Sequence, residues 1–410
     1  MKPLHLSAGI VAVALAGATA FSLSSASSSS ETAQSAPVAH GETEVSPAQD
    51  GAGAPAAQEK AKEKSEGKTR EGAQGKGPGA AHGKTTRAQG AVRGADPSVL
   101  RVGSTYIAVK AAGGGIIVRQ STSLEKLASA PAKKVWSNPN GLKDVWAPEI
   151  VRDNGRYYIY FTGGHSAAHR MYVISSARAD GGYGAERKLA LPDDKWAIDG
   201  TLFTFGGKRW FVWSGWSGGT NNEQNLYIAR MKDPVTPTGK RYVISQPREK
   251  WERKVGNPYI NEAPEAIKDP KGQLHIVYSA NGSWSNQYCL ADLRLRAGGN
   301  PTYVWDWYKS NGCLFGSHRE TMMSGWDPTL HVDGPGHHTF VLLNGDINTS
   351  PPSGKKFPMM FHAVPKGMEY KWSNRFWYTG SFVWWGNTTY RRAHVPGPNA
   401  DKGFSLKFFE

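Results

Sequence analysis

The chain has 410 residues, with 49 Lys and Arg against 34 Asp and Glu for a net charge of +15, and it carries 15 Trp but only two Cys. Its basic residues are scattered and no nucleic-acid motif accompanies them, so the charge points to solubility or to attraction for acidic polysaccharide and away from nucleic acid. No stretch is long and apolar enough to read as a membrane span.

The first residues are read as a leader. Lys2 is followed by an apolar run from Ala8 to Phe21 and then by small residues. That pattern predicts a secretory signal peptide over residues 1–27, cut near Ser24 to Ser27, and a secreted, extracellular product. Residues 28–93 contain Ala, Gly, Glu, Lys, Ser and Pro but no Trp, Tyr or Phe. Such a segment cannot bury enough apolar surface to offset the entropy of ordering, and it predicts a disordered low-complexity linker. Its charges nearly cancel, so most of the net charge, and every Trp, falls in one domain at 94–410. Cys289 and Cys313, in an exported chain, could form one disulfide or remain two buried thiols.

Within that domain a unit repeats. Glycine turns followed by aromatic or β-branched runs recur at "RVGSTYIAV" (101–109), "DNGRYYIYF" (153–161), "FGGKRWFVW" (205–213), "DPKGQLHIVY" (269–278) and, more loosely, "GHHTFVLLN" (336–344). Helical periodicity is almost absent, and each unit has room for about four short antiparallel strands. Five such units predict an all-β domain, a five-bladed β-propeller, in preference to a sandwich or a β-helix.

In a propeller the innermost strands share one axis, so residues at the same phase of each repeat converge. Lining up "GADPSVLRVG", "VWAPEIVRDNG", "AIDGTLFTFGG", "NEAPEAIKDPKG" and "DGPGHHTFV" brings Asp96, Glu149, Asp199, Glu262 and His337 together. Glu265 and Glu149 follow their Pro and lie further into the strand, where a structural and a functional role are both open. Crowded carboxylates cannot all ionise freely, and their pKa values are pushed apart. Glycoside hydrolysis uses that separation: one carboxylic acid protonates the departing oxygen while another activates water on the opposite face of the sugar. Trp146, just before its Ala-Pro, and loop-borne Trp216 and Trp284 are candidates to pack against the apolar face of a sugar ring. His165 and His169 have the i, i+4 spacing of zinc ligands but no third ligand, and are expected to be surface residues. The region after residue 345 does not repeat the fifth-unit pattern, although "SLKFFE" is a candidate last strand closing the ring onto the first blade.

"ADPSV", "WAPEI", "IDGTLF", "NEAPEAI" and "GPGH", in this order across residues 94–345, resemble glycoside hydrolase family 43 and especially its α-L-arabinofuranosidase-like branch. The resemblance implies that Asp96 is the general base, that Asp199 tunes and orients the acid, and that Glu262 is the general acid of an anomer-inverting hydrolysis. It further implies that His337 helps hold a calcium or sodium ion near the axis through water, with no other cofactor required. A monomer acting on arabinan or arabinoxylan-type polysaccharide is expected. β-Xylosidase, endo-arabinanase and galactofuranoside or galactan activity stay open at this stage, as does a non-catalytic sugar-binding propeller.

Overall fold

A computed structural model describes residues 92–392 and 400–410. The expected signal peptide and nearly all of the expected linker lie outside the described residues.

Among the described residues, twenty strands fall into five antiparallel runs of four. The first run is β1 (Ser98–Val102), β2 (Thr105–Ala112), β3 (Gly115–Ser121) and β4 (Ala132–Trp136). The second is β5 (Trp146–Asp153), β6 (Arg156–Gly163), β7 (Arg170–Ser176) and β8 (Arg187–Lys188). The third is β9 (Ala197–Phe205), β10 (Lys208–Trp216), β11 (Glu223–Asp233) and β12 (Thr236–Ser245). The fourth is β13 (Tyr259–Lys268), β14 (Leu274–Ala280), β15 (Cys289–Leu295) and β16 (Trp307–Lys309), and the fifth is β17 (Val332–Phe340), β18 (Phe357–Pro365), β19 (Phe376–Arg392) and β20 (Ala400–Phe409). The first two runs are separate sheets, whereas the last three join into one through a short parallel contact of β11 with β13 and an antiparallel one of β16 with β19.

Local chemistry explains the hairpins. Asn154 and Gly155 both have positive φ and connect Asp153 directly to Arg156, and Gly206 and Gly207 do the same between Phe205 and Lys208. Two-residue turns of this hand match the right-handed strand twist, and only Gly, Asn or Asp enter them without strain.

The strands are apolar on both faces because each run packs against a neighbour on either side. In β6, Ile159 and Phe161 join Leu100, Val118 and Ile150 between the first and second runs, while Tyr160 joins Leu202, Phe211 and Trp213 between the second and third. A larger cluster with Ile228, Ile276, Trp307, Phe361 and Trp384 runs through the third, fourth and fifth, and Val99, Met360 and Trp377 pack between the fifth and the first. Among the first strands, β1 packs on β5, β5 on β9, β9 on β13, β13 on β17, and β17 on β1.

Two expectations for the last run are corrected. Residues 336–344 are not a turn and second strand: 336–340 complete β17, a first strand, 341–344 lie in the loop after it, and its partner β18 begins only at Phe357. "SLKFFE" belongs to β20 and pairs with β19, not with the first run. Instead, Val92 to Gly94 pair with Arg375 to Trp377 at the start of β19, joining the first described residues to the fifth run. The repeat was hidden here because a loop of proline, serine and glycine replaces the tight turn of the other units.

Cys289, on β15, is disulfide-bonded to Cys313 across 24 positions of sequence. Closing a loop of that size in the unfolded chain is worth about 3 kcal/mol. Replacing both cysteines by Ser is expected to lower the unfolding free energy by about that amount, read from urea unfolding of the two proteins; an unchanged midpoint would show that the bond contributes nothing.

Candidate active site

Each first strand is kinked by a residue in left-handed backbone, within it or just before it: Asp96 (φ 55°), Ala147 (43°), Asp199 (55°), Ala263 (51°) and His337 (43°). None is glycine, and such a conformation costs about 1–3 kcal/mol when held in a fold. The kinks coincide with register breaks between Trp146 and Glu149, Glu262 and Glu265, and Gly336 and Thr339. A bulge bends its strand and re-aims the side chains beside it.

This shared kink corrects the phase read from the sequence. Asp96, Asp199 and His337 are equivalent, but the second and fourth runs place Ala147 and Ala263 there. Glu262 stands one residue before its kink, as Trp146 does in the second run. Glu149 and Glu265 stand two after theirs, matching Ser98, Thr201 and Thr339.

The residues still converge, and His337 is where they meet. Its Nδ1 is 3.2 Å from Asp96 Oδ1 and 4.0 Å from Asp199 Oδ2, and its Nε2 is 3.4 Å from Glu149 Oε1. Burial alone would discharge this imidazole, but Asp96, Asp199 and Glu149 outweigh burial and push it up to about 10. His337 is therefore a cation at neutral pH.

That cation divides the carboxyls. Burial works against the charge of Asp96, yet His337, then the contact with His362, then Arg375 hold its carboxyl well below the usual range. The Asp96 side chain is 24 % exposed, so its carboxylate opens to solvent. Asp96 N–H donates to Nδ1 of His362, which also lies 3.3 Å from Asp96 Oδ1. Burial and Arg375 drive His362 down to about 3, so its ring is neutral near pH 7 and accepts the Asp96 N–H.

Burial raises Asp199 to about 6, with His337 opposing and Asp96 and Glu149 reinforcing the rise. Asp199 is pinned by the Ala263 N–H, which donates to Oδ2 at 3.1 Å, while its own N–H donates to Thr162 Oγ1 at 3.4 Å. Glu262 is pushed up to about 8, first by burial and then by Asp199. Near neutrality one carboxyl is thus ionised and one protonated, with Asp199 between them. Deeper in, burial and the neighbouring Glu149 raise Glu265 as well.

The profile of glycosyl hydrolases family 43 matches residues 89–375, which covers the converging segments. This chain belongs to that family. It is 32 % identical over 236 residues to an extracellular exo-α-(1→5)-L-arabinofuranosidase of Streptomyces avermitilis, an alignment covering 55 % of this chain and 46 % of that protein. A protein of the same description from Streptomyces chartreusis is 28 % identical over 257 residues, covering 60 % and 72 %. The family-43 chain thus spans about half the length of the first relative. In fold it is similar to the crystal structure of an α-L-arabinofuranosidase from Lactobacillus brevis, with a TM-score of 0.61 at 24 % identity, covering 77 % of this chain and 97 % of that one.

Around the carboxyls of this family-43 chain stand groups that the sequence did not reveal. Tyr288 lies against Glu262 and Ser279, each affecting the other's ionisation, although its hydroxyl makes no hydrogen bond of good geometry. Its ring stacks on His362 at 5.7 Å, and a Cβ added to Gly336 would lie 2.0 Å from it. Tyr370 and Arg375, between β18 and β19, are electrostatically linked to Glu262 and to Asp96 respectively. They come from the stretch where the repeat pattern was lost, and nothing in their local sequence marked them.

The three expected Trp residues fall at the kinked end of their runs. Trp146 and Trp284 are 43 % and 42 % exposed, and Trp216 is half-buried. His165 is exposed as expected, but His169 is corrected: it is buried under Trp146, with its Nδ1 on the Ser166 carbonyl. Direct ligation of a calcium or sodium ion by His337 does not fit this arrangement, because both ring nitrogens face carboxylates. No group of three or more His, Cys, Asp or Glu side chains suited to an ion occurs among the described residues.

Gly336→Ala is expected to displace Tyr288 and destabilise the protein by about 1–3 kcal/mol through overpacking; thermal unfolding measures it, and an unaltered transition would mean that Tyr288 yields freely. His337→Ala leaves buried carboxylates uncompensated and is expected to cost about 3–5 kcal/mol, measured by urea unfolding at pH 7; a loss below about 1 kcal/mol, the worth of an exposed pair, would contradict the buried-cation account.

Proposed function

We propose that the five runs are the blades of a five-bladed β-propeller and that the chain is a secreted, inverting glycoside hydrolase releasing terminal α-L-arabinofuranosyl units from arabinan or arabinoxylan-type polysaccharide. The observation that carries this reading is the convergence of Asp96 and Asp199 on His337, with Asp199 tied to the residue after Glu262, which holds the Asp96 carboxyl down and pushes that of Glu262 up.

Asp96, ionised and partly open to solvent, is the base. It takes a proton from the water that attacks the anomeric carbon. Glu262, still protonated near neutrality, gives its proton to the departing glycosidic oxygen. The bond to that oxygen breaks as the bond to water forms, and the anomeric configuration inverts. Asp199 keeps the Glu262 proton in place by its proximity and fixes the strand through the Ala263 amide. Trp146, Trp216 and Trp284 supply apolar faces for the sugar. The choice of arabinofuranose rests on the names of the two Streptomyces relatives, as does export, which the N-terminal pattern also favours.

The full chain is incubated with arabinan, arabinoxylan, xylan and galactan, and the products are identified together with the anomer first formed. Free arabinose, released with inversion, supports the proposal; release of xylose or galactose alone would move the activity to another sugar, and retention would exclude this mechanism.

Glu262→Gln is expected to abolish cleavage of natural linkages while retaining more activity on an aryl arabinofuranoside whose leaving group departs unprotonated; Asp96→Asn should depress both alike. Equal activity of wild type and Glu262→Gln on arabinan would place the acid elsewhere.

The folded-state pKa of Glu262 is raised, so its proton is present below about 8 and lost above it. Wild-type kcat/KM on arabinan should therefore fall as pH rises through this region. A profile still flat at pH 10 would contradict the assignment.

A further inference from the structure

Asn261, the residue before Glu262 on β13, is held from three directions. The Ser245 hydroxyl donates to its Oδ1 at 2.6 Å, and its Nδ2 donates to Glu252 Oε1 at 2.9 Å. The Ser214 hydroxyl donates to its carbonyl at 2.8 Å. That carbonyl belongs to the peptide joining Asn261 to Glu262, so the last bond fixes the plane from which the Glu262 side chain departs.

The far end of this network is a buried ion pair. Lys309 Nζ, from β16, lies 2.9 and 3.0 Å from the two Glu252 oxygens and donates to the Gln246 carbonyl at 2.8 Å. The Tyr278 hydroxyl donates to Glu252 Oε1 at 3.0 Å, and the Glu249 N–H donates to Oε2 at 2.9 Å. Asn261, Ser214, Ser245, Glu252, Tyr278 and Lys309 are each no more than 2 % exposed. An ion pair sunk this deep is a poor means of stabilisation, because desolvating both charges offsets most of what their attraction gives. What a fully satisfied polar cluster supplies is one defined geometry.

That geometry is particular to the run that carries Glu262. Two residues before the kink the other runs place Gly94, Val145, Ala197 and Pro335, none of which has a side-chain hydrogen-bonding group. On the other side of Glu262, the Ala263 amide is already committed to Asp199. Both neighbours of Glu262 are thus tied to buried groups, one through its side chain and one through its backbone.

Resting on the proposed hydrolase activity, we propose that Asn261, oriented by Glu252 and its partner Lys309, is a positioning residue that holds the Glu262 carboxyl at the departing glycosidic oxygen. A reacting group displaced by about 1 Å loses on the order of 100-fold in rate. The effect falls on the step that needs the Glu262 proton, not on the binding of the sugar.

The full chain is assayed on α-1,5-linked arabinotriose, whose leaving sugar needs a proton, and on an aryl arabinofuranoside whose leaving group departs without one. Asn261→Ala is expected to lower kcat on arabinotriose at least about tenfold more than on the aryl substrate, with KM within about twofold of wild type. Ser214→Ala, which removes one bond to the Asn261 carbonyl, should shift the ratio of the two rates the same way by at least about threefold. It decides the matter where Asn261→Ala does not fold. Glu252→Gln combined with Lys309→Met removes both charges yet keeps an acceptor for the Asn261 amide, and should retain at least about half of the wild-type ratio.

Equal losses on the two substrates, or losses confined to KM, would make the network a stabilising element alone and overturn the positioning role. A ratio in the double variant as low as that of Asn261→Ala would overturn the part given to the Glu252 acceptor. No cleavage of either substrate by wild type is a different result: it overturns the hydrolase reading and the positioning role with it.

Discussion

The site depends on one buried positive charge. His337 has carboxylates on both sides of its ring, and without it Asp96, Asp199 and Glu149 would face one another as uncompensated charges in a place that disfavours each of them. A lone buried imidazole would be neutral. Its charge and theirs are mutually dependent, and burial together with unequal neighbours separates three chemically similar acids into an ionised, an intermediate and a protonated one.

Holding such a cluster requires backbone that ordinary strands do not provide. Five non-glycine residues in left-handed conformation kink the first strands or their approach, and two of them carry carboxylates while a third is the histidine itself. The strain is tolerable because each strand is anchored along the rest of its length. β6 and β10 are buried on both faces, and the clusters between runs leave little freedom to relax. Packing of the sheets therefore does more than supply stability: it maintains the kinks, and the kinks set the distances on which ionisation depends.

Much of this was legible in the sequence, and the failures have physical reasons. Asn-Gly and Gly-Gly between apolar runs marked the hairpins, and the recurrence of Asp-Pro, Ala-Pro and Asp-Gly marked the start of the first strands. Asp96, Asp199, Glu262 and His337 were found because these local signals sit next to them. The phase of Glu149 and Glu262 was misread because a bulge inserts residues that no hydrophobic pattern records. Tyr288, Tyr370 and Arg375 were missed because they reach the centre from loops whose course is set by tertiary contacts. His169 looked like a surface residue because polar sequence around it says nothing of the Trp lying over it. The last run was obscured by a long loop in place of a two-residue turn.

A single hydrogen bond then ties geometry to proton affinity. The Ala263 amide belongs to the residue after Glu262, and it donates to Asp199, the charge that after burial most raises the affinity of Glu262 for its proton. The same bond lowers the proton affinity of Asp199, which keeps more negative charge beside Glu262. If the fourth strand moved away from the third, Asp199 would lose that donor and Glu262 would lose its close anionic neighbour together. The position of the acid and its readiness to hold a proton near pH 7 are in this way one property of the contact between β9 and β13, not two that must be tuned separately.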